Sequence, residues 1–187
     1  MSLRFSCRRQ RNSQLHPQEA SWQDNEAPGL NDLIARNFSA ADVPVTKEPS
    51  GLLRSDGKCP DGLSLAPWRS GKALCWDVTV ICPLAASYIS DAAREPGSVA
   101  ELVASRKEAK YAALDGRYMF VPIAFENLGV LNASAKFLLT HLSKRLFEKS
   151  GESRETSFLF QRLSVLLQRF NAVLLHDSMS ACDRVDF

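Results

Sequence analysis

The chain has 187 residues, of which 45% are hydrophobic and 24% are charged, and its formal net charge is +2. This is the composition of a globular domain with enough apolar side chains for a core, and it excludes collagen, a disulfide-dense scaffold and general disorder. No run of about 18 apolar residues is present, because the nearest candidate, residues 73–89, contains Asp77, so we expect no membrane-spanning helix and no membrane partner.

The N-terminal segment, residues 1–28, is polar and mixed in charge and has no sustained hydrophobic periodicity. We predict a disordered basic arm there, followed by one domain over residues 29–177 and a disordered tail at 178–187. Within the domain, apolar residues at helical spacing first predict a short helix over 31–38.

A β-hairpin is predicted next. Two extended segments, 63–66 and 73–81, flank a polar turn at 69–72. The second segment is the strongest strand signal in the chain, because it is rich in Val, Ile, Trp and Thr, which are favoured in strands. We therefore expect residues 73–81 to lie in a sheet.

A helix and a buried strand follow the hairpin. Ser98 and Glu101 have the spacing of a capping box and predict a helix over 99–114. Residues 118–125 are nearly all apolar, which indicates a strand buried on both faces. Since strand–helix–strand units strongly prefer a right-handed crossover, we expect strands 73–81 and 118–125 to be parallel neighbours.

Two helices, over 135–149 and 156–175, complete the predicted order. In the second, apolar residues from Leu159 to Val173 recur at helical spacing, which fits core packing or a homodimer seam, and the width of the stripe favours the core. The whole order predicts an α/β fold: a small mixed sheet flanked by helices, with two C-terminal helices.

The five cysteines and three histidines are scattered along the chain without a C-x-x-C pair. A structural zinc site uses four ligands in two close pairs, so this pattern argues against one. Free thiols are typical of a reducing compartment, and we therefore expect an intracellular protein, nuclear or cytoplasmic.

Two carboxylates stand in unusual places. Asp61 precedes the first hairpin strand, and Asp77 lies inside the apolar second strand, on the face opposite to that of Trp76 and Val78. A buried carboxylate is costly unless a cation meets it. If the hairpin pairs the two strands, both carboxylates converge into a hard-oxygen site suited to Mg²⁺ or Mn²⁺. The alternative is structural, with Asp61 in a turn and Asp77 on an edge strand.

The predicted helix 99–114 carries cations on its apolar face. At about 100° per residue, Lys110 lies near the centre of the apolar stripe, while Lys107 lies on its margin and Arg106 inside it. Such a departure from the binary pattern marks either a functional site or lysines whose stems cover apolar surface while their ammonium groups reach water. With two acidic residues on the adjoining hairpin, a lysine reaching over a metal site is the better account.

Five segments occur in a distinctive order: KEPSGL at 47–52, DGKCPDG at 56–62, WDVT at 76–79, KEAKY at 107–111 and FVPIAFENLG at 120–129. Together they resemble a region found downstream of the reverse transcriptase in non-LTR retrotransposons of animals. The Pro-Asp, Asp-x-Thr and Lys pattern is similar to that of the restriction-like endonuclease of R2-type elements, a member of the PD-(D/E)xK nuclease superfamily. The resemblance covers residues 30–172 and implies a restriction-endonuclease-like fold.

Two positions differ from the common form of this family. Cys59 stands where arginine is common, and Thr79 takes the place of the lysine in the usual Asp-x-Lys strand. The resemblance therefore implies that the catalytic lysine lies on the helix, at Lys107 or Lys110, and it leaves the choice between them open.

The resemblance implies a metal-dependent DNA endonuclease that hydrolyses phosphodiester bonds. Asp61 and Asp77 would hold Mg²⁺ or Mn²⁺ together with the backbone carbonyl of Val78, and the helix lysine would act on the phosphate. Glu48 is either a further carboxylate of the site or a surface charge beside Pro49.

DNA is the expected partner of such a domain. Basic residues of the arm and of the loop before the first hairpin strand would contact phosphates without reading sequence: Arg4, Arg8, Arg9, Arg11 and Lys58. The alternative is a catalytically inactive, retrotransposon-derived remnant that binds nucleic acid or protein through the same fold. The two hypotheses differ in one geometric expectation, because an active site requires both carboxylates and one lysine to meet.

Overall fold

The computed structural model describes residues 17–52, 59–114 and 116–178. Within these ranges the chain forms a mixed α/β fold with one four-stranded sheet and five α-helices. The elements in chain order are α1 (Pro17–Ala40), β1 (Val45–Lys47), β2 (Gly62–Arg69), β3 (Lys72–Ile81), α2 (Ile89–Ala92), α3 (Ser98–Tyr111), β4 (Tyr118–Glu126), α4 (Ala133–Ser150) and α5 (Glu155–Ser178).

The strands lie in the order β1-β2-β3-β4. The pairs β1–β2 and β2–β3 are antiparallel, whereas β3 and β4 are parallel. The predicted hairpin and the predicted parallel pairing are both confirmed. Ser70 and Gly71 form the hairpin turn with positive φ angles of 50° and 75°, as tight turns between twisted antiparallel strands require.

Each face of the sheet is covered by helices. The main core joins the sheet to α1, α4 and α5, and it includes Phe38, Trp76, Val78, Ile123, Leu139 and Leu163. A smaller core joins the opposite face to α3, and it consists of Ile81, Val99, Ala100, Val103, Ala104 and Ala124. Because side chains alternate along a strand, Asp77 faces α3 while its neighbours Trp76 and Val78 face the main core.

The first helix is longer than predicted. It begins at Pro17, so residues 17–28 of the predicted arm are helical, whereas residues 1–16 lie outside the described part of the chain. The prediction relied on hydrophobic periodicity, which is absent from this stretch, although Gln, Glu and Ala near its start favour helix through backbone propensity alone.

The two C-terminal helices agree with the prediction to within a few residues. Leu159, Leu163 and Leu167 of α5 are buried in the main core, so this part of the apolar stripe packs inside the domain. Val173, at the other end of the stripe, is about half exposed, at 49%. Beyond Ser178, the predicted tail lies outside the described residues.

The start of α3 differs from the predicted capping box. Gly97 is the N-cap, with a left-handed φ of 92°. Ser98 is already the first helical residue, and its hydroxyl donates a hydrogen bond to the carbonyl oxygen of Asp91 at 2.5 Å. Glu101 accepts a hydrogen bond from the N–H of Ala133 at 2.5 Å instead of capping its own helix.

The position of α3 against the sheet is fixed at its N-terminus. The buried carboxylate of Glu126, the last residue of β4, accepts a hydrogen bond from the N–H of Ala100 at 3.3 Å. A negative charge is favourable there, because the first N–H groups of a helix lack intrahelical partners.

None of the helices in the described part of the chain is both long enough and apolar enough to span a membrane.

Candidate functional site

Asp61 is held in place by three parts of the fold. It directly precedes β2 and is 5% exposed. Its Oδ2 accepts a hydrogen bond from the N–H of Val78 on β3 at 2.7 Å. Its carbonyl oxygen accepts hydrogen bonds from Asn31 Nδ2 of α1 at 3.0 Å and from the N–H of Glu48 at 3.1 Å. The orientation of this carboxylate is therefore determined by long-range contacts.

Asp77 occupies the facing position on β3. The ladder between β2 and β3 pairs Gly62 with Trp76, so the next step outward brings Asp61 opposite Asp77. Directly opposed residues of antiparallel strands have Cβ atoms about 4.5–5.5 Å apart. Asp77 is 6% exposed. The hairpin thus brings two buried carboxylates together at the N-terminal end of β2.

Lys107 of α3 completes the cluster. Its ammonium group donates a hydrogen bond to Oδ2 of Asp77 and forms an ion pair with it. The side chains of Lys107 and Asp77 are 24% and 7% exposed, so the pair is shielded from water on most sides. The Coulomb attraction in such a setting exceeds that of a pair on the surface.

The helical phase of α3 explains why Lys107 is the residue in this position. The buried residues of the helix are Val99, Ala100, Val103, Ala104 and Tyr111. At about 100° per residue, Lys107 lies at the centre of this face and Lys110 about 60° away from it. The predicted phase was wrong because it left out Ala100, Ala104 and Tyr111, whose burial moves the centre of the face from Lys110 to Lys107.

The other two cations predicted on this face lie at or beyond its edge. Lys110 is half-buried, and its ammonium group is 5.1 Å from the centre of the Tyr111 ring. Arg106 is exposed. Of the three predicted cations, it is Lys107 that pairs with Asp77.

The pKa of the Cys75 thiol is affected by the negative charges of the site. Cys75 is fully buried on β3, two residues before Asp77 and therefore on the same face. Burial is the largest cause that raises its pKa to about 12, and the charges of Asp77, Asp61 and Cys59 add to it. Both carboxylates therefore lie close enough to this one buried thiol to raise its pKa.

The chemistry of the donors fits a hard divalent cation. An extended residue directs its N–H and C=O to the same edge of the strand, so the carbonyl of Val78 faces the edge at which its N–H meets Asp61. Carboxylate and carbonyl oxygens are the ligands that Mg²⁺ and Mn²⁺ prefer, and Mg²⁺ usually keeps several water ligands. Among the described residues, no three His, Cys, Asp or Glu side chains form a metal-binding group. The fit therefore rests on Asp61, Asp77 and one carbonyl.

The remaining predicted site residues are placed differently. Glu48 is exposed, has a positive φ of 47°, and contacts Asp61 through its backbone N–H. Its observed part in the site is to hold the Asp61 carbonyl. The predicted DNA contacts lie outside the described residues: Arg4, Arg8, Arg9, Arg11 and Lys58.

Asn31 belongs to the site, although the sequence reasoning missed it. This buried side chain donates to the carbonyl of Asp61 and accepts a hydrogen bond from Nε1 of Trp76 at 2.8 Å. The Trp76 ring in turn stacks on Phe38, with 5.0 Å between the ring centres. One signal was present in the sequence, since a polar residue directly follows Leu30 on the inner face of the helix.

The structure thus brings Asp61, Asp77 and Lys107 together and adds Asn31 as a support. No protein-family model matches this chain, and no curated protein is significantly similar to it. What the site can do chemically therefore has to be inferred from its geometry.

Proposed function

We propose that this chain is a metal-dependent DNA endonuclease-like domain of retrotransposon origin that hydrolyses phosphodiester bonds. The observation that carries the proposal is the cluster of Asp61, Asp77 and Lys107 on the sheet face covered by α3. Two acidic residues and one lysine are the groups that the resemblance to R2-type endonucleases requires. A mixed sheet with helices on both faces supports a restriction-endonuclease-like fold.

The two aspartates bind the cation in this proposal, with the Val78 carbonyl as a further ligand. A bound Mg²⁺ or Mn²⁺ supplies Lewis-acid activation of water and neutralises charge on the phosphate. Asn31 and the N–H of Glu48 hold the backbone of Asp61, so its carboxylate is oriented before any ligand arrives. Such pre-organisation lowers the free energy needed to assemble the site.

Lys107 has a different part in the reaction. Its ammonium group reaches from α3 to the carboxylate of Asp77, so a phosphate bound between helix and hairpin would lie near it. A lysine in this position donates to a phosphate oxygen and stabilises the negative charge that develops during hydrolysis. Its compact charge and flexible stem suit a group that must adjust to the substrate.

A plasmid-nicking assay tests the proposal. The wild type should nick supercoiled DNA with Mg²⁺ or Mn²⁺ and lose the activity in EDTA. Asp61→Asn, Asp77→Asn and Lys107→Gln should each lower the rate by about 10²-fold or more, the usual cost of removing a charged catalytic group. Lys110→Gln is the matched control and should retain cleavage.

Two results would contradict the proposal. One is cleavage by the Asp61→Asn and Asp77→Asn variants at the wild-type rate. The other is a wild type that binds DNA but never cleaves it with either metal, which would favour the inactive binding module.

A further inference from the structure

We propose that Lys107 is an internal substitute for the divalent cation: in the metal-free protein its ammonium group neutralises Asp77, and cation binding releases it towards the substrate phosphate. The inference rests on the proposed function, because it takes Asp61 and Asp77 as the cation ligands. It adds a regulatory property to that site, namely competition between one of its own side chains and the metal.

The first support is the place of the ion pair. Asp77 and Asp61 are both buried, and the pairing of Gly62 with Trp76 brings them next to each other at the N-terminal end of β2. Two such carboxylates repel each other unless a positive charge lies nearby. In the described structure Lys107 provides that charge at Oδ2 of Asp77. A divalent cation ligated by Asp77 would take over the same electrostatic role.

The second support is the freedom of the lysine to move. Its side chain is 24% exposed, whereas that of Asp77 is 7% exposed. The stem leaves α3 at the centre of the buried face, between Val103 and Tyr111. A flexible four-carbon stem can carry the ammonium group from Asp77 to a nearby anion through a change of side-chain torsions, without movement of the helix.

The consequence is a coupling between metal and lysine. As long as Lys107 pairs with Asp77, the cation must displace a favourable interaction, so its apparent affinity is lowered by the fraction of protein in the paired state. Once the cation is bound, the lysine has lost its carboxylate partner and is available to a phosphate. Binding of the cation therefore adds its own positive charge to the site and also frees the ammonium group of Lys107 for the phosphate.

Titration calorimetry with Mg²⁺ in the absence of DNA tests this coupling. Lys107→Gln keeps most of the stem and removes the charge, and it should bind Mg²⁺ about tenfold more tightly than the wild type, because removal of a competing charge a few ångströms away is worth at least this much. Arg106→Gln removes an exposed charge from the same helix, and its affinity should equal that of the wild type.

Lys107→Arg, which retains the charge, is the second comparison and should bind Mg²⁺ no more tightly than the wild type. The same samples should show a larger rise of the thermal midpoint with Mg²⁺ for Lys107→Gln than for the wild type, since a ligand that binds only the folded state stabilises it according to its affinity. This second readout also shows that each variant is folded.

The outcomes separate the two proposals. Mg²⁺ binding by the wild type together with equal or weaker binding by Lys107→Gln would overturn the competition and leave the endonuclease proposal standing. Mg²⁺ binding by Lys107→Gln but not by the wild type would support the competition, because it would mean that the lysine prevents binding altogether. An absence of binding in the wild type and in Lys107→Gln would overturn both proposals.

Discussion

The indole ring of Trp76 fills the space in which a side chain at position 62 would lie. A Cβ built on Gly62 would overlap Cζ2 and Cε2 of that ring. The two residues are also direct partners in the β2–β3 ladder. Because Gly62 follows Asp61 and Trp76 precedes Asp77, this close contact joins the two backbone segments that carry the carboxylates.

Gly62→Ala should therefore destabilise the protein. The added methyl group can be accommodated only if the buried indole or a strand moves, and overpacking of this kind costs about 1–3 kcal/mol or more. Urea unfolding of the variant and the wild type measures the difference. Gly116→Ala is the matched control, because a Cβ at that position meets nothing within 4 Å, and it should change the free energy of unfolding by less than about 0.5 kcal/mol. Equal effects of the two substitutions would contradict the packing described here.

Asn31→Ala should lower the free energy of unfolding by about 1–3 kcal/mol, because it leaves the buried Nε1 of Trp76 without its acceptor. The Asp61 carbonyl would keep its hydrogen bond from the N–H of Glu48. A double-mutant cycle with Trp76→Phe isolates the hydrogen bond from the loss of ring volume. A coupling energy near zero would show that the asparagine does not support the site in this way.

The Asp77→Ala substitution tests the ion pair in the absence of metal. If the site held only two carboxylates and no positive charge, they would repel each other, and removal of Asp77 would stabilise the protein. The pairing with Lys107 reverses this expectation, because the substitution leaves a partly buried ammonium group without its partner. We expect a loss of about 1–2 kcal/mol in EDTA. In a Lys107→Met background the same substitution should cost less, and an unchanged cost there would argue against the pair.

The buried thiol of Cys75 gives a pH-dependent prediction. Its pKa is raised from 9.0 to about 12 in the folded protein, mainly by burial and further by Asp77 and Asp61. The unfolded chain therefore loses this proton first, so the contribution of Cys75 to stability is complete below pH 9.0 and is lost as the pH rises towards about 12. Cys75→Ala should remove that part of the pH dependence, which paired denaturant titrations at pH 8 and about pH 10 measure.

Alkylation provides an independent check on the same residue. At pH 8, iodoacetamide should modify Cys75 far more slowly than the half-buried Cys59 and Cys82, because the thiolate is the reactive form and Cys75 is both buried and protonated. Mass spectrometry of digested samples distinguishes the three positions. Comparable labelling of all three in the folded protein would contradict the described burial.

Patterns confined to a few neighbouring residues were sufficient to predict much of this fold. The alternation of side chains and the content of strand-favouring residues located β3. The short turn before β3 required an antiparallel hairpin with β2, and the helix between β3 and β4 required these two strands to be parallel. The phase of α3 was not predictable in this way, because it depends on the burial of Ala100, Ala104 and Tyr111, and neither alanine nor the polar-tipped tyrosine is a strong hydrophobic signal in the sequence. Asn31 was missed because its two partners lie 30 and 45 residues away in the sequence.

The central claim is that Asp61 and Asp77 together hold a divalent cation, and Mg²⁺ titration calorimetry of the wild type beside Asp77→Ala tests it most directly. The account predicts saturable binding of one cation per chain by the wild type at millimolar Mg²⁺ or below, and loss of this binding in Asp77→Ala, since the remaining carboxylate alone is a poor site. Thermal midpoints measured in EDTA ensure that both proteins are folded. No heat of binding in the wild type or in Lys107→Gln at millimolar Mg²⁺, with or without DNA, would contradict the claim.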